Sequence, residues 1–174
     1  MEKDQSDLVE LARRAIDKCV REGRTLKRED CPELFRKIEG RAGAFVSLKK
    51  QGDLRGCIGT FEPTRSNLAE EIVSNAISSC SRDPRFEPVR EDELGQLEVS
   101  VDVLGEPEPV ADESKLDPLK YGVIVRSGRR LGLLLPDLEG VNTVEEQLDI
   151  ARRKAGIGPR EPVELFRFEV RRYH

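Results

Sequence analysis

Apolar residues recur at three- and four-residue steps from about Gln5 to Glu22: Leu8, Leu11, Ala12, Ala15, Ile16, Cys19 and Val20. This spacing puts one apolar stripe on an α-helix, with Asp4 or Ser6 as its cap and Gly23 as its stop. Asp30 and Pro32 predict the cap and first turn of a short second helix anchored by Leu34 and Phe35, because proline there forfeits only an N–H that has no helical partner. Residues 44–49 read as a strand, Gln51-Gly52-Asp53 as a turn, and Leu54 to Phe61 as the returning arm of a hairpin. Leu68, Ala69, Ile72, Val73, Ala76, Ile77 and Cys80 give a broad apolar face to a helix over 67–81, with Asn67 and Glu70 at capping-box spacing. Pro84 biases Asp83 away from helix and closes that element.

Leu97, Val99, Val101 and Val103 alternate at strict period two, which predicts a strand with one buried face and Glu98, Ser100 and Asp102 on the other. Residues 106–118, with three prolines, read as loop. A second hairpin follows, with arms 121–125 and 131–135. Thr143 caps a helix ending at Ala155, and Gly156 stops it. The last strand, Val163 to Val170, changes apolar parity between Leu165 and Phe166, which suggests a bulge or burial on both faces. Hairpins interspersed with helices predict an α+β fold, with antiparallel sheet packed against helices in two lobes of unequal size.

Composition narrows the function classes. The chain has 174 residues, 37% of them hydrophobic and 37% charged, with a net charge of −4. That length supports one core, or one core with a smaller lobe. The acidic balance and short basic runs disfavour a nucleic-acid-binding surface, which needs clustered positive charge. No apolar run approaches the roughly 20 residues that span a bilayer, and the charged N-terminus has no signal-peptide core, so a cytoplasmic protein without membrane attachment is expected. Four scattered cysteines, with no C-x-x-C pair, and a single histidine, His174, give no metal-ligand pattern. Neither a metal nor a cofactor is expected.

The chemistry concentrates at Leu54-Arg55-Gly56-Cys57-Ile58-Gly59-Thr60. Two glycines inside a strand signal a bulge or a close backbone approach. Neither precedes a helix directly, so phosphate-loop and dinucleotide readings fail on context. Cys57 is a candidate nucleophile or redox thiol, since Arg55 and freed amides favour a thiolate; the alternative is a buried structural cysteine. Arg55 suits either an anionic ligand or an internal ion pair with Asp83 or Asp102. Gly56 and Gly59 offer backbone access. Thr60 and Asn75 either orient a ligand or satisfy nearby backbone. Asp83 and Arg85 form either the rim of a site or an ion-paired turn that positions Phe86.

Together, L-R-G-C-I-G-T at 54–60, N-A at 75–76 and D-P-R-F-x-P at 83–88 resemble the AMMECR domain family, named from the Alport syndrome and elliptocytosis chromosomal region. That family includes protein A of the AmmeMemoRadiSam system. Y-G-V-I-V at 121–125, L-L-L-P at 133–136 and R-K-A-G at 153–156 extend the similarity over nearly the whole chain. The resemblance implies a single domain over residues 1–174, in two lobes with both chain ends in the larger. It also implies a Memo-like protein and a radical SAM protein as partners, and it brings no assigned reaction. The favoured expectation is a binding or accessory protein whose cleft at 54–60 takes a small anionic ligand or a partner. The alternative is an enzyme using Cys57, and a nucleic-acid regulator is least favoured.

Overall fold

A computed structural model describes the backbone of residues 2–174 and the side chains from residue 7 onward. The first helix, α1 (Glu2–Glu22), ends where expected: Gly23 takes φ +64 and its N–H bonds the Cys19 carbonyl. The expected caps, Asp4 and Ser6, lie outside the described side chains. Helix α2 (Pro32–Lys37) carries proline in its first turn, but its N-cap is Cys31. Asp30 instead ends a single 3-10 turn, where it accepts from the Lys27 N–H. The carboxylate satisfies the nearer donor, so the helix start shifts past it.

Strands β1 (Ala44–Lys50) and β2 (Asp53–Thr60) form the expected hairpin. Gln51 and Gly52 both adopt positive φ, the requirement of the two-residue turn whose twist matches that of its strands. Helix α3 (Leu68–Ser81) starts at Asn67, whose side chain accepts from the Glu70 N–H. Strand β3 (Leu97–Leu104) pairs with β1 from Leu97 to Val103. The segment read as loop contains a short strand, β4 (Glu108–Val110), with Pro109 at its centre. Proline is tolerated there because β4 is an edge strand.

Strands β5 (Gly122–Ser127) and β6 (Arg130–Leu134) make the second hairpin, followed by helix α4 (Val144–Ala155) with its Thr143 capping box and a left-handed Gly156. The expected last strand is two strands, β7 (Glu164–Phe168) and β8 (Val170–Tyr173). The interruption falls at Glu169. The register through Leu165 and Phe166 against β5 is unbroken, so their parity change reflects cover on both faces.

The chain divides into two compact units. The first comprises residues up to Val103 together with Arg171–His174, and the second comprises Leu104–Val170. One four-stranded sheet has the order β2-β1-β3-β8, the other β4-β7-β5-β6. The fold is α+β. In the first unit, Leu11, Ala15 and Ile16 of α1 and Ile72 and Ala76 of α3 pack with Val46, Leu48 and Val101 of the sheet. The second core gathers Val123 and Val125 with Leu148 and Ala151 of α4. Among the described residues, no helix is long and apolar enough to cross a membrane.

Candidate functional site

Four polar residues at intervals of four lie along and just beyond α3. Glu71, Asn75, Ser79 and Asp83 are only 1%, 4%, 2% and 4% exposed. Residues four apart on a helix stack on one face, and here that face meets the β1–β2 hairpin. The Ser79 hydroxyl accepts from the Ile58 N–H at 2.9 Å and donates to the Val46 carbonyl at 2.7 Å. Val46 and Ile58 are cross-strand partners, so the hydroxyl is interposed in the ladder itself. Asn75 donates to the Ala44 carbonyl at 2.9 Å and the Thr60 hydroxyl at 3.2 Å, at the adjoining end of the same ladder.

Glu71 completes the row. It accepts from both the Thr60 and Thr64 hydroxyls (2.6 and 2.8 Å) and from the Thr64 and Arg65 N–H groups, each at 2.8 Å. Burial pushes this carboxyl up, but the four donors outweigh it and bring the group below its ordinary range. The helix is thereby stitched to the hairpin by side chains.

The two glycines serve this packing. A Cβ on Gly56 would lie 2.3 Å from the Ser79 carbonyl oxygen, and one on Gly59 would lie 2.2 Å from Cγ of Phe45. The close backbone approach expected at these positions is made by the chain itself. Helix backbone fills the space beside one glycine and an aromatic ring the space beside the other.

Arg55 is the extra residue of a β-bulge: Gly56 pairs with Leu48 and Leu54 with Lys49, which leaves Arg55 between them. The bulge re-aims its side chain onto Glu93, with Nε and Nη2 each 3.0 Å from a carboxylate oxygen. Nη1 also donates to the Glu87 carbonyl at 2.9 Å. The anion contact expected of Arg55 is therefore replaced by the internal ion pair, and its partner is Glu93, not Asp83 or Asp102. Sequence reasoning missed Glu93 because it lies in a 3-10 turn with no periodic face.

Arg55 holds the Glu93 carboxyl down at about 2 against its burial, aided by the Arg90 N–H and Lys50. The group ordinarily titrates at 4.5, so its folded value is depressed. Its contribution to stability is complete above the ordinary 4.5 and fades as pH falls toward about 2. The thermal stability gap between the wild type and Glu93→Gln should accordingly hold steady at neutral pH and narrow through this acid window. A gap of undiminished size at the acid end would contradict the pairing.

On the opposite face of the sheet, Cys57, Ser47 and Ser100 line up across β2, β1 and β3. The Cys57 Sγ lies 3.2 Å from the Ser47 Oγ. Burial pushes the thiol up, while Ser47 and the charge of Arg85 pull the other way without prevailing. One row along, Asp102 forms two bonds with Arg172, at 2.8 and 3.0 Å.

The D-P-R-F turn finishes the outer edge of β2. Asp83 accepts from the Cys57 N–H at 3.0 Å, and Arg85 Nη2 donates to the Cys57 carbonyl at 3.2 Å. These two side chains satisfy Cys57 as a neighbouring strand would, which blunts an edge open to unwanted pairing. Arg85 bonds Asp83 at 3.0 and 2.8 Å and holds its carboxyl well below the usual range. Its guanidinium stacks 5.4 Å from the Phe86 ring centre. The Arg85 side chain is nevertheless 54% exposed, against 2% for Asp83.

Thus Gly56, Cys57, Gly59, Thr60, Asn75, Asp83 and Arg85 meet in one region, while Arg55 turns away along the bulge. None of these residues lines the cavities of about 590, 340 and 320 Å³ in the first unit. Among the described residues, no group of three or more histidine, cysteine or acidic side chains is arranged to hold a metal ion. Glu71 and Ser79 were missed in the sequence. Their signal was the four-residue spacing that joins them to Asn75 and Asp83 within an apolar helix.

A two-sheet α+β protein with a helix stitched into an edge hairpin is the class that this geometry defines. The AMMECR1 family profile matches residues 9–173, and the chain belongs to that family. A protein of Thermotoga maritima is 56% identical over 169 residues, covering 95% of each chain. Protein CA_C1420 of Clostridium acetobutylicum is 49% identical over 98% of this chain, which spans 36% of that longer protein. The crystal structure of the uncharacterized protein PH0010 from Pyrococcus horikoshii is similar at a TM-score of 0.86 and 32% identity, covering 99% of this chain and 91% of that one.

Proposed function

We propose that this chain is a cytoplasmic accessory protein that recognises an anionic group, on a small ligand or a partner, at the sheet face around Cys57, with Arg85 as the charged contact. The observation that carries this reading is the state of Arg85. Its guanidinium is locked by the buried Asp83 and is still half open to solvent. A pre-oriented cation loses little side-chain freedom on binding an anion. The Ser47 and Ser100 hydroxyls lie on the same sheet face as additional polar contacts.

The alternative, an enzyme with Cys57 as nucleophile, is less well supported. Its thiol is pushed up by burial, and neither the Ser47 hydroxyl nor the charge of Arg85 offsets that. As partners, the proposal takes a Memo-like protein and a radical SAM protein, the pair that the family resemblance implies. Occurrence of the same domain as 36% of a longer Clostridium protein fits a domain that works beside others.

Pull-down of such partners should survive Cys57→Ala and be lost, or weakened on the order of tenfold, in Arg85→Ala. Iodoacetamide should label Cys57 more slowly than it labels a short cysteine peptide at neutral pH. Labelling faster than the peptide, together with loss of function in Cys57→Ala, would establish the enzyme reading instead.

A further inference from the structure

Helix α3 has a second working face. Val73 and Ile77 lie about 200° and 240° around the helix from Glu71. With Leu26 and Phe35 they floor a groove of about 590 Å³. All four are buried, between 4% and 7% exposed. Around this apolar floor stand Lys27, Arg28, Arg65 and Arg82, opposed by Glu29 and Glu70. Four cations against two acids leave a local excess of two positive charges on a chain whose net charge is −4.

Two of these cations are held without being neutralised. Arg65 Nη2 donates to the Ser74 hydroxyl at 3.1 Å, and Arg28 stacks 5.6 Å from the Phe35 ring centre. Among the described residues, Lys27, Arg28, Arg65 and Arg82 form no salt bridge. Arg55 and Arg172, by contrast, are closed onto Glu93 and Asp102.

The geometry points to a binding site for a small amphipathic carboxylate, its apolar body on Val73, Ile77, Leu26 and Phe35 and its anionic head among the arginines. The cavity falls within the roughly 300–1,000 Å³ typical of small-molecule sites, which pair an apolar lining with a few polar anchors. Charge selects the head group: a cation of the same chain length meets four like charges, and an alcohol leaves the guanidinium groups unpaired. This site is independent of the Cys57 face, because none of its lining residues belongs to that face.

The test is displacement of anilinonaphthalene sulfonate, itself an apolar anion, by decanoate, decanol and decyltrimethylammonium. Decanoate should displace the dye saturably at one site per chain, and the cation should fail to do so. Arg82→Glu should weaken decanoate on the order of tenfold. Ser74→Trp should occlude the groove and abolish displacement at unchanged Tm; because the chain has no other tryptophan, its fluorescence reports the filled groove directly. Arg85→Ala should change nothing here. Equal displacement by decyltrimethylammonium would overturn the proposal, as would indifference to both groove variants. A glutamate-rich peptide that binds the groove and resists competition by decanoate would assign it to a protein partner and overturn it equally.

Discussion

Gly56→Ala should destabilise the first unit by about 3 kcal/mol or more, at the upper end of overpacking costs, lowering Tm by roughly 6–12 °C. The added Cβ would sit 2.3 Å from the Ser79 carbonyl oxygen, and neither atom has an inexpensive escape. Ser79 is fixed by its hydroxyl between Ile58 and Val46, and Gly56 is paired with Leu48 beside the Arg55 bulge. Relief requires the whole helix to lift from the hairpin. Gly59→Ala provides the comparison. Its Cβ would meet the side chain of Phe45, which is only partly buried and has room to turn, so the loss should be smaller. Thermal denaturation of the two variants decides the matter. Equal, small losses would mean that α3 does not bear on β2 as described.

Glu71→Ala should be comparably severe, at about 3–4 kcal/mol, because it strands hydroxyl and amide donors that water cannot reach easily. The Thr60 hydroxyl, the Thr64 hydroxyl and amide, and the Arg65 amide all converge on this one carboxylate. Glu71→Gln should be milder. An amide oxygen can face the two backbone N–H groups while its NH₂ faces the two hydroxyls, which can rotate to accept. Hydrogen exchange at residues 44–60 is the sensitive readout: loss of Glu71 should free the end of the hairpin first. If alanine and glutamine prove equally harmless, the carboxylate is not the clasp.

Much of this fold was legible where the pattern is local, although Asp102, expected on the open face of β3, is buried against Arg172. The α1 stripe, the period-two run at Leu97–Val103 and the Thr143 and Asn67 caps all act locally, within a turn or two of sequence. What escaped was set by partners distant along the chain. Strand β4 contains a proline that only an edge position excuses, and edge position is a property of the sheet. The split between β7 and β8 depends on where each half finds its neighbours.

The site followed the same division. The glycines, the thiol and the D-P-R-F turn marked a candidate region in the sequence, and the structure brings these residues together. The roles of these residues were not legible there, since a glycine that admits a ligand and one that admits a helix look identical in sequence. Arg55 illustrates the point: choosing between anion contact and internal pair required the bulge, which appears only in the register of β1 against β2. Asn75 and Thr60 prove to be structural partners of each other and of Ala44 and Glu71.

The passage of the chain between its two units has a consequence for how such a protein can diversify. The chain leaves the first sheet at the end of β3 and rejoins it in β8, and these two strands are neighbours. At the crossing, the Gly105 N–H bonds the Glu169 carbonyl at 2.8 Å, tying the outgoing and returning segments together. Topologically, the whole second unit is an outsized connection between adjacent strands. Insertions, deletions or wholesale exchange of that connection can occur without shifting the pairing of β1, β2 and β3 or the seam that α3 makes with them. The architecture thus separates a part free to be remodelled from a part that the Glu71, Asn75, Ser79 and Asp83 row ties together.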